Sequence, residues 1–344
     1  MKPVPEAGTV EAAPVALRGG LARNSWLNPG LFLILLIVLG VGLWPIIVNQ
    51  DSAREGVFSV LLAIAFASSL NILMGYTGYV SFGHVVFFGL GGYVGMYLLQ
   101  TTGTSLWLAT LAGGAAAGLL AFGLGKAILK LRGAYFALVT IGVNEAMRTF
   151  VDNFAPFGGP TGISLNFQIY RDYGGARQAL WLVYYALLAL TLIAIFVSHV
   201  IKTSKFGLSL MAIREDEDAA EVMGVITPDA KTWAYVLSAI IPGMLGAIFY
   251  FKNGNIETGD AFQLQRSIEA LVMIMLGGQG TVLGPVIGAA GYTMLRTALL
   301  TSSIFKDIQL SVAGTLLLLI VLFIPAGAVG WLRRRIPRLR GVLP

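Results

Sequence analysis

Apolar residues run through this chain in long blocks, with little alternation and few polar interruptions. Blocks at 30–48, 57–74, 80–99, 105–129, 134–151, 180–200, 232–251, 267–277, 281–300 and 308–331 approach the roughly 20 apolar residues that a helix needs to cross a bilayer. Helices are the form such blocks must take, because hydrocarbon offers no partner to backbone polar groups. The second and third blocks, and the eighth and ninth, are separated only by glycine-rich breaks, so either member of each pair could be a half-helix or a re-entrant segment. The pattern predicts an all-α, polytopic transmembrane helical bundle of about ten spans, or of eight or nine if those short segments do not cross. Residues 1–28 are polar and rich in Pro, Ala and Gly. They read as a cytoplasmic tail, since the first apolar block begins only near Leu31 and is long enough to remain in the membrane.

One stretch breaks the pattern. Residues 202–231 carry Lys205, Arg214, Glu215, Asp216, Glu217, Asp218, Glu221, Asp229 and Lys231 between two spans. Within it Leu208, Met211, Ala212, Ala219, Val222 and Met223 recur at three- and four-residue spacing, as one face of an amphipathic helix. Gly224 stands where that helix would stop, and Pro228 blocks easy continuation. Such a helix suits docking on a soluble subunit, and it equally suits a solvated loop.

The basic residues orient the chain. Arg18 and Arg23 precede the first span, Lys126, Lys130 and Arg132 follow the fourth, Lys202 and Lys205 the sixth, and Arg333, Arg334, Arg335, Arg338 and Arg340 the tenth. With the N-terminus inside, all of these fall in the cytoplasm, as the positive-inside bias requires. Residues 202–231 are then cytoplasmic, 152–179 form an outer, periplasmic loop, and 332–344 are a basic cytoplasmic tail that would meet anionic lipid. The membrane domain is 29–331.

Composition narrows the chemistry. The 344 residues are 56% hydrophobic and 12% charged, against roughly 25% charged in ordinary globular chains. The net charge of +6 comes from residues at span ends and is no nucleic-acid signature. With no cysteine and two histidines, His84 and His199, thiolate chemistry is excluded and a metal centre is not expected. Neither a GxxxxGK[ST] phosphate loop nor an HExxH or GxSxG motif occurs, so no catalytic residues are assigned and any ATP must be bound elsewhere. Ionisable residues at membrane depth are few. Glu145 and Arg148 could pair across one helix turn. Glu269 and His84 could line a pathway, or serve as an end-of-helix anchor and a packing residue.

Residues 73–80 (LMGYTGYV) and 275–282 (MLGGQGTV) echo one another, and each is followed by a glycine-rich helix. Two glycine-broken segments, one per half, point to a repeat-built transporter with its pathway near Gly75, Tyr76, Gly78, His84, Glu269, Gly277, Gly278 and Gly280. In the outer loop, Gly158-Gly159-Pro160-Thr161-Gly162 reads as a tight turn.

GYTGYVSFGHVVFFGLGGY (75–93), LRGAYFALVTIGVNEAMRTF (131–150), FGGPTGISL (157–165), FGLSLMAIREDEDAAEVMGV (206–225) and SIEALVMIMLGGQGTVLGPVIGAA (267–290) resemble the permeases of branched-chain amino-acid ABC importers, in particular their M-type subunit. The resemblance runs from about 57 to 331. It implies a multi-pass permease of the bacterial inner membrane that moves branched-chain or other hydrophobic amino acids inward. It implies two cytoplasmic ATPase subunits, a homologous H-type permease and a periplasmic substrate-binding protein as partners, with ATP and Mg bound by the ATPases and no cofactor in this chain. It further implies that 206–225 touches an ATPase, through Gly207, Ala212, Ile213, Arg214, Glu215, Ala219, Ala220 and Gly224. Asp218-Ala219-Ala220 with Gly224 matches the importers' coupling motif only loosely. Urea and short-amide importer permeases share the same blocks, and a standalone secondary transporter or channel is the reading from a different class.

Overall fold

The computed structural model describes residues 29–48, 50–301, 315 and 327–330. The tails and nearly all of the tenth apolar block lie outside the described residues. The described part is helical: α1 (Pro29–Val48), α2 (Asp51–Thr77), α3 (His84–Thr102), α4 (Leu106–Ile128), α5 (Ala134–Asp152), α6 (Ala176–Thr203), α7 (Lys205–Glu215), α8 (Glu217–Val222), α9 (Thr227–Asn253), α10 (Thr258–Ala261), α11 (Leu264–Gly277) and α12 (Leu283–Thr301). Six of these, α1, α2, α3, α4, α6 and α9, are long and apolar enough to cross a membrane. The eighth block is a half-helix: α11 has 14 residues, which at about 1.5 Å per residue is about 21 Å and short of a hydrocarbon core of ~30 Å.

Helices α3, α4 and α9 form the tightest contact, with α3 running parallel to α9 and antiparallel to α4. Small residues make this possible, as is usual where lipid supplies no hydrophobic drive between helices. A Cβ on Gly91 would collide with the carbonyl oxygen of Gly243, and one on Gly246 with that of Phe88. α2 is the hub. Its Ser69 hydroxyl donates to Ser238 O at 2.7 Å, and Tyr76 OH donates to Ser198 O at 3.0 Å. These bonds join it to α9 and α6. α1 lies outermost, held where Tyr184 OH donates to Gly42 O at 2.6 Å, and most of its large side chains face outward.

At the outer end, 3-10 turns and a two-residue pairing of β1 (Ile163–Ser164) with β2 (Asn255–Ile256) hold the loop between α5 and α6. The expected glycine turn is present: Gly158, Gly159 and Gly162 all have positive φ.

Two local readings are corrected. The charged segment holds two short helices, α7 and α8, because Asp216 takes an extended conformation (φ −158°) and caps α8, its side chain accepting from Asp218 N and Ala219 N, both at 3.0 Å. The stop read at Gly224 is present: α8 ends at Val222, Gly224 has positive φ, and Pro228 lies in the first turn of the next helix, α9, where its missing N–H costs nothing. Glu145 and Arg148 do not pair; both are exposed, and no ion pair joins them among the described residues.

Substituting Gly91 by Ala should destabilise the bundle by about 1–3 kcal/mol, because the methyl forces α3 and α9 apart. Gly40→Ala, whose added Cβ meets nothing within 4 Å, should not. Thermal unfolding of both variants in detergent checks the contrast.

Candidate coupling site at the basic end

The end of the bundle that the basic residues predict to be cytoplasmic is built around α7 and α8. The chain turns sharply from α6 into α7 because Ser204 caps α7, accepting from Gly207 N at 3.1 Å, and because Gly207 has no side chain. A Cβ there would collide with Ile201 O. α7 then buries Leu210 and Ile213, and α8 buries Ala220, in a cluster with Tyr76, Phe136 and Tyr235.

Both glycine breaks meet this segment. α2 ends at Gly78 (φ +79°), and Gly278 and Gly280 between α11 and α12 also have positive φ. Asn71 bridges the two breaks: its Nδ2 donates to Thr281 O at 3.1 Å and its Oδ1 accepts from Gly280 N at 3.1 Å. Gln279 Nε2 donates to Met74 O at 2.8 Å. Arg214 of α7 donates to Gly75 O at 2.7 Å and lies against Gly78 and Gly280. The two echoing segments are therefore neighbours, turning at the same end of the molecule.

A second tie joins α8 to three further elements. Glu217 accepts from Lys231 Nζ at 2.6 Å and from Tyr79 OH at 2.9 Å, and pairs with Arg132 Nε at 3.2 Å. Lys231 also donates to Leu129 O at 2.8 Å, and its side chain is only 4% exposed. This cluster links α8 to the α4–α5 turn, the α2–α3 break and the first turn of α9. Burial, reinforced by the Glu217 carboxylate, pushes the Tyr79 phenol up from its ordinary range. The Arg132 hydrogen bond at 2.9 Å holds Asp218 below the usual carboxylate range and raises Arg132. A depressed carboxylate contributes its pairing at neutral pH and loses it as pH falls through the lowered pKa.

The residues expected at a coupling surface divide. Gly207, Ile213 and Ala220 are buried and shape the segment, Ala212 is half-buried, and Arg214 reaches the glycine breaks. Glu215, Ala219 and Gly224 are exposed. The apolar face read from spacing divides: Leu208, Val222 and Met223 are 62%, 89% and 73% exposed, while Met211 and Ala212 are half-buried; Ile226, next to it, is 69% exposed. Of the residues expected along a pathway, Tyr76 and His84 are fully buried, and His84 Nε2 lies 2.9 Å from Ser238 Oγ. Gly75 and Gly277 close helix contacts, Gly75 against Gly280 N and Gly277 against Gly284 O. Gly78 and Glu269 border cavities. Sequence reasoning did not single out Tyr79, Arg132, Glu217 or Lys231 for this cluster. Arg132 and Lys231 flank apolar blocks and look like ordinary topological charges.

The model of a family described as the branched-chain amino acid transport system permease component matches residues 54–322. The chain is 26% identical over 327 residues to the high-affinity branched-chain amino acid transport system permease protein LivM of Escherichia coli K12, covering 88% of this chain and 76% of that one. LivM of Salmonella typhimurium LT2 matches to the same extent. The autoinducer 2 import system permease LsrC of Photorhabdus laumondii is 27% identical over 139 residues, 39% of this chain and 41% of that one. No solved structure matches.

Replacing Lys231 by Met leaves Glu217 largely buried without its main counter-charge and should cost about 3–5 kcal/mol. Lys231→Met combined with Glu217→Gln should recover much of this, because no uncompensated charge remains. A double-mutant cycle on thermal unfolding measures the coupling.

Proposed function

The chain belongs to the branched-chain amino-acid transport permease family, and on that premise we propose that it is the M-type subunit of an ABC importer carrying branched-chain or other hydrophobic amino acids inward. Two ATPase subunits, holding ATP and Mg, dock on the cytoplasmic segment. A homologous H-type permease lies beside this chain in the bacterial inner membrane, and a periplasmic binding protein delivers substrate to the outer face.

The exposed apolar patch of Leu208, Val222, Met223 and Ile226, on a segment braced to both glycine breaks, is the observation that carries the ATPase assignment. An apolar patch in water marks a protein interface. A push on α7 and α8 travels through Arg214 to the ends of α2 and α11, and through the Glu217 cluster to α4, α5 and α9. These are the elements that would have to shift for the bundle to open alternately to each side. The motif-matching residues Gly207, Ala212, Ile213, Ala219, Ala220 and Gly224 keep this geometry or border the patch.

The second permease is supported by α5. Only Phe136, Thr140, Asn144 and Val151 of this helix are buried. Glu145 and Arg148 are exposed on it, within its last eight residues. Charged side chains on a membrane bundle face a partner or a water-filled path and avoid lipid, and the second permease is accordingly proposed to sit against α5.

Val222→Glu and Met223→Glu should each lower ATP-driven uptake by the assembled importer more than about tenfold, the cost of spoiling an interface anchor. Their folding should be unchanged, because neither side chain is packed within this chain. Uptake and thermal unfolding of the same preparations decide it, and normal uptake would remove the docking assignment. For the cargo, uptake of radiolabelled leucine and urea should be compared in cells with and without the gene. Loss of leucine uptake is expected. Loss of urea uptake with leucine uptake intact would transfer the cargo to the urea class, and solute movement driven by an ion gradient without ATPases would make the protein a secondary transporter.

A further inference from the structure

A cavity of about 340 Å³ lies between α2, α3, α9, α11 and α12, toward the end opposite the coupling segment. Its volume falls in the lower part of the small-molecule range of roughly 300–1,000 Å³. Phe66, Phe88, Phe249 and Met273 line it, interleaved with Lys252, Arg266, Glu269 and Arg296. Ionisable groups gathered among apolar helices are costly and mark substrate paths by default.

The charges are held in fixed positions. The Arg266 guanidinium lies over Phe88, 4.6 Å from the ring centroid, and over Phe249 at 5.0 Å. Its Nη2 pairs with Asp260 at 3.2 Å, while Nη1 has no hydrogen-bond partner among the described residues. The Glu269 side chain is 13% exposed. Gln265 donates to its Oε1 at 3.0 Å, and Arg296 Nε lies 3.5 Å from the same oxygen. Both of these contacts fall on Oε1. Arg266 and Glu269 stand at i and i+3, neighbours on one helix face.

We infer that this cavity is a subsite for a small zwitterion with an apolar side chain, an assignment that rests on the amino-acid reading above. Arg266 receives the α-carboxylate through a charge-assisted hydrogen bond, the arrangement to which a planar guanidinium is best suited. Glu269 receives the α-ammonium through Oε2. The side chain lies along Phe66, Phe88 and Phe249. A neutral, compact molecule such as urea gains nothing from the aromatic side chains.

The test uses the assembled importer, with its partner permease and ATPases, in lipid nanodiscs and without the binding protein. Binding of radiolabelled L-leucine should be saturable. Arg266→Gln and Glu269→Gln should each weaken it about tenfold, the effect of losing one charge-assisted hydrogen bond, and Arg266→Lys should restore part of the loss. 4-Methylpentanoate and 3-methylbutylamine, which each satisfy one of the two charges, should compete about tenfold less well than leucine. Leucine binding that is equal in wild type, Arg266→Gln and Glu269→Gln, with unchanged melting temperatures, overturns the subsite. Leucine uptake by the wild-type importer in that case leaves the proposed function standing. Should Arg266→Gln fail to fold, the isosteric Glu269→Gln decides alone. A wild-type importer that moves urea and not leucine removes the amino-acid reading first, and the subsite with it.

Discussion

α2 and α11 end side by side, and the carbonyl groups left open at the last turn of a helix need donors from outside it. The structure meets that need by turning the two ends toward each other. Asn71 spans the gap, Gln279 reaches Met74 O, Thr77 donates back to Leu73 O and Thr281 to Gly278 O. A further acceptor of the last turn, Gly75 O, is met by Arg214 of α7. A residue on a short helix outside the long apolar ones thus completes the hydrogen bonding of α2, so the two are tied together.

The Glu217 cluster repeats this logic with charge. Lys231 sits at the start of α9, nearly buried, and is tolerated because Glu217, Tyr79 and Leu129 O surround it. Buried ion pairs of this kind add little net stability, yet they penalise any arrangement that separates them. They therefore fix register. Together with Arg214, this holds a segment of two short helices to the ends of α2, α4, α9 and α11 and to the start of α5. The glycines of α3, α4 and α9 do the complementary work, letting those helices pack so closely that a displacement at one end is carried along the whole bundle.

The same economy of charge appears at the opposite end. Lys252 pairs with Glu55 at 2.5 Å and lies 4.7 Å from the Phe58 ring centroid, and Arg266 lies over Phe88 and Phe249. Cations stacked on aromatic rings keep part of their electrostatic stabilisation when desolvated. A cavity lined in this way can stay charged without being fully wet.

The sequence by itself determined the class and most of the span boundaries, because apolar length is a one-dimensional property that bilayer thickness reads directly. It also set residues 202–231, with ten charges, apart from the apolar blocks on either side. It exposed the two echoing glycine breaks and Glu269 as one of the few ionisable residues within the apolar blocks. Tertiary structure alone decided how these meet. The spacing of Leu208, Val222 and Met223 identified an apolar face without saying whether this chain or another covers it, because periodicity carries no direction. Asp216 split one expected helix into two through a local cap competing with the helical hydrogen bond. Arg132 and Lys231 looked like topological charges because their partner, Glu217, lies 85 and 14 residues away in sequence and beside them in space. Whether a lone charge is an anchor or half of a buried pair is set by long-range packing, and no run of neighbouring residues encodes it.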